Sequence, residues 1–179
     1  MRANWRAHLP LPRSAAWRTL CHFERIVCLD HFHRSADLDG RPPAAGLEFD
    51  LPHRIGPWTI ARRGRILLWR EGRSYVFSDL ARGRRRRAFP HVFVVALDDA
   101  SRPAGGCRLR LEVRGRWTTN WLPGELTRAW IGWNLAAMGQ RIRNAILADA
   151  LRAGVRLSRG EAGCSADRSA APAPAPPPC

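Results

Sequence analysis

Between residues 31 and 118 the chain alternates polar with apolar residues, and turn signals interrupt this alternation at short intervals. The turn signals are glycine-containing and proline-containing pairs: Asp39-Gly40, Pro42-Pro43, Gly56-Pro57, Glu71-Gly72 and Gly105-Gly106. A period of two marks a strand, and connections this short join neighbouring antiparallel strands. The segment therefore predicts an antiparallel meander, with strands near residues 31–38, 46–53, 58–70, 73–80, 89–98 and 107–118.

The last predicted strand shows the alternation most clearly. Its apolar positions are Cys107, Leu109, Leu111, Val113 and Trp117, and they alternate with Arg108, Arg110, Glu112, Arg114 and Arg116. A strand of this kind buries one face in a core and leaves the other in water.

Segments of different character flank the meander. A short strand is predicted at residues 4–10, followed by a helix from an N-cap at Ser14 and by a second helical turn near residues 24–30. Beyond Pro123-Gly124, a helix is predicted over residues 124–152. We expect its sheet-facing stripe to contain Leu126, Trp130, Trp133, Ala137, Gln140, Asn144 and Leu147, with further apolar residues widening the arc. Residues 1–157 form one predicted domain, and the Ala/Pro-rich residues 158–179 form a disordered tail.

The charge of the chain is strongly positive. All 30 basic residues are arginine, and the formal net charge is +15. Arginine-rich codon usage is sufficient to produce this excess, although such a field attracts polyanions at low salt. The densest run predicts an alternative role in non-specific binding of nucleic acid or an acidic surface, through Arg82, Arg84, Arg85, Arg86 and Arg87. We expect no sequence-specific nucleic-acid readout, because no RNA-reading aromatic motif flanks the run.

Membrane insertion and secretion are not expected. No apolar run reaches the length of a membrane span, and the N-terminus has no signal-peptide core, so a cytoplasmic location is predicted. The five cysteines are odd in number and have no C-x-x-C spacing, which favours reduced thiols. No zinc site is expected from the cluster Cys21, His22, Cys28, His31 and His33, because its spacing matches no zinc finger or ribbon.

Strand register places a polar pair on the predicted concave face. The Glu71-Gly72 hairpin would pair Arg70 with Arg73, Leu68 with Tyr75 and Ile66 with Phe77. If Phe77 faces Phe93 in the next ladder, Asp79 stands opposite His91, at one end of an apolar surface. A carboxylate beside an imidazole is a candidate acid and base, with Tyr75 as a further donor. The alternative is a structural hydrogen-bonded pair that closes the end of the sheet.

The apolar residues on the same faces are candidates for contact with a small molecule. They are Phe77, Phe93, Val95, Leu111, Val113, Trp117, Trp130 and Trp133. Core filling is the alternative for every one of them.

The element order of strand, two short helices, six-strand meander and long C-terminal helix resembles the START-like, helix-grip fold of the SRPBCC superfamily across residues 3–152. The stretch "LPLPRSAAWRTLCHFER" is similar to the opening of many members. The stretches "FSDLARGRRRRAFPHVFVVAL", "GGCRLRLEV" and "LPG" resemble the polyketide cyclase-like branch, onto which Asp79, His91, Gly106 and Pro123 map. Cys107 and Glu112 stand where that branch usually has threonine and aspartate.

The resemblance implies an α+β fold in which a curved seven-stranded antiparallel sheet wraps the C-terminal helix. It also implies a cavity between sheet and helix for a hydrophobic or amphipathic molecule, lipid-like or polyketide-like, and no cofactor. The alternative function that it implies is that of a cyclase or dehydratase acting through Asp79 and His91.

Overall fold

The structure, a computed structural model, describes residues 1–80, 91–99, 106–115, 124–155 and 157. The predicted tail and the arginine run at 82–87 lie outside these residues. The elements, in chain order, are β1 (Arg2–Leu9), α1 (Arg13–Leu20), α2 (Phe23–Val27), β2 (Glu48–Asp50), β3 (His53–Ile55), β4 (Trp58–Ile60), β5 (Arg63–Arg70), β6 (Ser74–Leu80), β7 (His91–Asp99), β8 (Cys107–Gly115) and α3 (Gly124–Arg152).

The predicted fold class is confirmed: a large antiparallel sheet is covered on one face by the long C-terminal helix. Six of the described strands form the main sheet in the order β1-β8-β7-β6-β5-β2, and β3 pairs with β4 in a separate ribbon. Two predicted strands need correction. Residues 31–38 make only isolated bridges, and the stretch predicted as one strand at 58–70 is divided into β4 and β5.

The alternation of polar and apolar residues in β1 and β8 places the two kinds of side chain on opposite faces of the sheet, as predicted. Leu109, Leu111 and Val113 are buried, whereas Arg108, Arg110 and Arg114 lie on the opposite, convex face. On that face Glu112 is covered by arginine side chains, with Arg2 Nε 2.6 Å from its carboxylate. The guanidinium groups lower the pKa of Glu112, through hydrogen bonds from Arg114 first and from Arg2 against the opposing effect of burial.

The β5–β6 hairpin departs from the predicted register because of a β-bulge. Ile66 pairs with Phe77 as predicted, but the register then shifts, so that Trp69 rather than Leu68 stands opposite Tyr75. The extra residue, Leu67, is 46% exposed. A bulge of this kind bends a strand and reverses which side chains face inward. It therefore brings Trp69 to the concave side, where its ring stacks on Tyr75 at 5.3 Å.

The helix α3 has the predicted bounds but a different buried face. Its buried residues are Thr127, Ile131, Leu135, Met138, Gly139, Ile142, Ile146 and Ala150. The predicted sheet-facing stripe is therefore wrong: Trp133 is 70% exposed and Trp130 is 41% exposed. From Ile131 to Ala150 these buried residues recur at helical spacing, and none of them is polar. The tryptophan stripe would have buried Gln140 and Asn144, and burial of an amide without a hydrogen-bond partner is unfavourable.

The N-cap of the first helix lies two residues earlier than predicted. Arg13 is its first residue and Pro12 occupies the N-cap position, so Ser14 lies inside the helix and does not cap it. Proline fits at this end of a helix because its missing N–H would have no intrahelical acceptor there. Trp17 on α1 contacts Tyr75 and Trp69 at ring distances of 6.3 and 5.4 Å, which closes one end of the core.

Candidate functional site

A buried ion pair lies near the end of β6. Asp79 is buried, and its Oδ1 lies 2.7 Å from Nε of Arg62, the residue that precedes β5. Both side chains are withdrawn from water, since at most 4% of either is exposed. A charge pair in this position requires well-placed partners, because the loss of hydration offsets much of the attraction.

Three histidines from separate parts of the chain surround this pair. His91 at the start of β7 has Nδ1 at 3.7 Å from Asp79 Oδ2, and His53 at the start of β3 has Nε2 at 3.9 Å from the same oxygen. His33, in the loop after α2, packs its ring 4.7 Å from that of His53 and stacks 6.1 Å from that of His91. The backbone fixes this contact, because His33 and His53 form an isolated β-bridge.

Burial sets the charge state of these groups. Burial raises the pKa of the Asp79 carboxyl to about 6, although Arg62 acts in the opposite direction. Burial, and then the nearby His33, Arg62 and His91, lower the pKa of His53 to about 2. The pKa of His33 is also lowered, chiefly by burial, despite the carboxylate of Asp30 at 3.2 Å. At neutral pH His33 and His53 are therefore uncharged, and the ionised Asp79 balances Arg62.

Several atoms of this cluster are buried without a hydrogen-bond partner among the residues that the structure describes. They are Nδ1 and Nε2 of His33, Nε2 of His53 and both carboxylate oxygens of Asp79. The short contact of Asp79 with Arg62 is an ion pair, and the contact of Asp30 with His33 joins a carboxylate to a neutral imidazole. Buried polar atoms in folded proteins are nearly always hydrogen-bonded, so these atoms need an explanation.

Apolar residues continue the concave face away from the cluster. Phe77 stacks on Phe93 at 5.4 Å, and Tyr75 stands opposite Val95, as the predicted register required. Leu111 and Val113 continue this surface on β8, and all of these side chains are buried. The result is an apolar sheet face with a buried polar cluster at one end.

The predicted candidates are brought together only in part. Asp79 and His91 are neighbours, as their strand positions predicted. Tyr75 lies four residues before Asp79 on the same strand, which corresponds to about 13 Å. It is packed among Trp17, Trp69 and Phe23. The role of Tyr75 as a further donor beside Asp79 stays a prediction. Trp117, Pro123 and the arginine run lie outside the described residues.

Trp130 and Trp133 do not line the space between sheet and helix. Trp133 faces outward, and Trp130 is half-exposed with its ring 5.1 Å from that of Phe32. The backbone explains why residue 106 is a glycine. Its φ is +142°, and a Cβ there would lie 2.8 Å from the Leu9 carbonyl oxygen.

Three members of the cluster were not among the predicted site residues: His33, which was considered only as a zinc ligand, His53 and Arg62. The sequence contained a pattern that could have identified two of them, His53 and Arg62. His53 continues the parity of the buried Phe49 and Leu51, and Arg62 shares the parity of the buried Ile66. A charged or polar side chain on the apolar parity of a predicted strand indicates a buried polar site.

Other arrangements in the described part of the chain are less informative. No three histidine, cysteine, aspartate or glutamate side chains there are arranged to hold a metal ion. Cys21, Cys28 and Cys107 are free thiols, and burial raises the pKa of Cys107 to about 11. A groove of about 270 Å³ runs beside β2, but its lining is mostly charged and unsuited to an apolar ligand. None of the described helices is long and apolar enough to cross a membrane.

A large antiparallel sheet covered by a long C-terminal helix is the helix-grip fold. Solved structures bear out this fold. Ara h 8.0201, a Bet v 1-like protein, superposes with a TM-score of 0.59 at 13% identity, over 83% of this chain and 98% of its own. TTHA0849 from Thermus thermophilus gives a TM-score of 0.62 at 13% identity, over 83% of this chain and 98% of its own.

Protein NE0264 from Nitrosomonas europaea superposes with a TM-score of 0.57 at 12% identity, over 84% of this chain and 97% of its own. No family model matches the sequence, and no curated protein matches it. At identities this low, the likeness to solved structures shows the fold alone.

Proposed function

We propose that the protein binds a hydrophobic or amphipathic small molecule, lipid-like or polyketide-like, between the concave face of the sheet and α3. The observation that carries this proposal is the buried cluster of Asp79, Arg62 and the histidines at one end of an otherwise apolar face. A face that serves only as a core has no need of such a cluster, since replacing a buried ion pair by apolar side chains is often neutral or stabilising. A mostly apolar lining with a few polar groups at one end is typical of small-molecule sites.

The direct test is to identify what the protein carries. Native mass spectrometry and solvent extraction of purified protein should release an apolar molecule, and the emptied protein should bind 1-anilinonaphthalene-8-sulfonate saturably. Val113→Phe adds volume to the concave face, and we expect it to weaken probe binding about tenfold or more, because close-packed sites tolerate little extra volume. Trp133→Gln is the matched control, and it should leave binding within twofold, since this side chain faces outward. The absence of any extracted molecule together with the absence of saturable probe binding would refute the proposal.

A second candidate function is acid–base catalysis on the bound molecule, and the raised pKa of Asp79 favours it. A carboxyl group that titrates near pH 6, with imidazoles at 3.7 and 3.9 Å, is suited to moving protons near neutral pH. In the dehydration of a β-hydroxyketone, Asp79 would remove the α-proton while the imidazolium of His91 donates a proton to the departing hydroxyl, which leaves as water.

The test of catalysis is the conversion of a β-hydroxyketone to its enone, followed by ultraviolet absorbance. We expect Asp79→Asn and His91→Gln to lower the rate by about 10²-fold or more, the usual range for loss of a general acid or base, with probe binding retained. A wild-type rate equal to that in buffer would exclude this activity while leaving the binding function intact.

A further inference from the structure

The cluster around Asp79 brings together titratable side chains from separate parts of the chain at one end of the concave face. The groups are Asp79 from β6, Arg62 before β5, His91 from β7, His53 from β3, and His33 and Asp30 from the loop after α2. The chemistry of the set is asymmetric: it holds one permanent cation, one carboxylate in contact with it, and imidazoles around them. This asymmetry determines which polar group at the end of a ligand the cluster can bind.

Arg62 determines the sign of a preferred partner. Its guanidinium is buried and always protonated, so any ligand end that reaches it must tolerate a positive charge. An ammonium end carries only donors, so it cannot accept a hydrogen bond from the guanidinium. A hydroxyl end offers one donor and two lone pairs, whereas a carboxylate accepts about four hydrogen bonds and can bind a guanidinium with both oxygens.

The histidines provide additional donors for the same oxygen atoms. His33 and His53 are neutral, and each neutral imidazole has one N–H. Nε2 of His53 and both ring nitrogens of His33 are buried without a hydrogen-bond partner among the described residues. The one N–H of each neutral ring can donate to a second carboxylate oxygen without adding charge to the site.

Asp79 already forms an ion pair with Arg62, and a second carboxylate at this position would be repelled by the negative charge of Asp79. Two neighbouring carboxylates cannot both ionise easily in a buried site, so one of them takes up a proton. We propose that the cluster of Asp79, Arg62 and the histidines binds the carboxylate of an amphipathic ligand, and that Asp79 takes up one proton as this carboxylate binds Arg62. This inference rests on the proposed binding function and names the class of ligand.

The proton balance has two equivalent forms. If the ligand enters as a carboxylate, the proton that forms the Asp79 O–H bond comes from water. If it enters as a neutral acid, its own O–H bond breaks and the proton moves to Asp79. The neutral state of Asp79 is accessible near neutral pH because burial raises its pKa to about 6, whereas His33 and His53 have lowered pKa values and stay uncharged.

The test compares dodecanoate, 1-dodecanol and dodecylamine, which have the same chain and different ends, by displacement of 1-anilinonaphthalene-8-sulfonate at pH 5.5 and pH 8. At pH 5.5 we expect dodecanoate to bind at least tenfold more tightly than 1-dodecanol, and dodecylamine to bind most weakly. After correction for the ionisation of dodecanoate itself, its affinity should fall up to about tenfold per pH unit above pH 6, since each binding event takes up one proton.

Two variants separate the contributions. Asp79→Asn imitates the protonated carboxyl, so we expect it to bind dodecanoate tightly at both pH values, with the pH dependence removed. Arg62→Gln should remove the preference for dodecanoate over 1-dodecanol, and Arg62→Lys should restore part of it. Circular dichroism verifies that each variant is folded. If Asp79→Asn does not fold, calorimetry of the wild type at pH 7 in two buffers of different ionisation enthalpy measures proton uptake directly, and nearly one proton per dodecanoate is expected.

The outcomes distinguish the proposed carboxylate site from the proposed binding function. If 1-dodecanol binds as tightly as dodecanoate, or if no proton is taken up, the carboxylate site is refuted while the binding function stands. If no chain displaces the probe, the proposed function fails and the inference fails with it. Stoichiometric metal in the purified protein would also overturn the inference, because the histidines would then be ligands rather than donors.

Discussion

Gly139 lies where α3 crosses β1, and substitution by alanine there tests how closely the helix approaches the sheet. A Cβ at this position would lie 2.4, 2.5 and 2.7 Å from three ring carbons of Trp5. Separations below 3.0 Å cannot be kept, so either the indole or the helix must move. Trp5 Cδ2 and Cε3 belong to a fused ring, which has no flexible end to give way.

Two effects of opposite sign determine the magnitude. Alanine is about 1 kcal/mol more favourable than glycine inside a helix, and forcing extra volume into a packed site costs about 1 to 3 kcal/mol. Gly132 on the same helix is the matched control, because a Cβ there meets nothing within 4 Å. Gly132→Ala should therefore stabilise the fold by up to about 1 kcal/mol, and the difference between the two variants isolates the steric cost.

The assay is urea unfolding followed by circular dichroism at about 222 nm, where helical backbone absorbs. With a slope of about 2 kcal/mol per molar urea, a steric cost near 2 kcal/mol separates the midpoints of the two variants by about 1 M. A Trp5→Leu background should reduce this separation, because the coupling is between contacting side chains. Equal stabilisation by Gly132→Ala and Gly139→Ala would refute the close approach of α3 to Trp5.

Other consequences can be measured in the same way. Gly64→Ala should destabilise by about 1 to 3 kcal/mol, because its Cβ would lie 2.3 Å from the Phe49 ring, and an unchanged urea midpoint would contradict that contact. His53 is neutral when folded and gains a proton below pH 6.5 when unfolded, so it stabilises fully above pH 6.5 and progressively less as the pH falls toward its folded pKa of about 2. His53→Gln should therefore lose about 2 kcal/mol less unfolding free energy than the wild type between pH 6.5 and pH 4.5, and parallel pH profiles would exclude this role. Asp149 accepts a hydrogen bond from Arg25 at 2.8 Å, which ties the end of α3 to α2, and Asp149→Asn should cost about 1 kcal/mol in low salt and less in 1 M salt. A cost that does not change with salt would argue against the ionic contribution.

The ion pair of Asp79 with Arg62 connects stability with the proposed site. Asp79 has a raised folded pKa, so its stabilising contribution is fully present below pH 3.8 and is lost as the pH rises through about 6. At neutral pH the fold therefore maintains an ionised buried carboxylate at a cost. In the proposed complex the ligand carboxylate replaces Asp79 as the charged partner of Arg62, and Asp79 returns to the neutral form that its burial favours.

Much of the fold follows from local patterns in the sequence. The bounds of α3 coincide with the predicted helix at 124–152, because the pair Pro123-Gly124 marks its start, Gly154 marks its end, and the helical period is continuous between them. The pairing of Phe77 with Phe93 follows from strand parity, and it brought Asp79 to His91. These features depend on neighbours a few residues apart, or on a single hairpin register.

The tertiary structure alone decided the rest of the site. The bulge at Leu67 places Trp69 instead of Leu68 on the concave face. The alternation of polar and apolar residues does not show where a strand contains an extra residue. The rotation of α3 about its axis depends on which of its faces can be buried without leaving the amides of Gln140 and Asn144 unpaired.

His33, His53 and Arg62 met at Asp79 because the loop after α2, the β3–β4 ribbon and β5 converge there. Periodicity determines which face a side chain takes, and the sequence therefore determined the layers of the fold and one polar pair. The packing of distant segments determines which faces meet, and it alone completed the buried cluster.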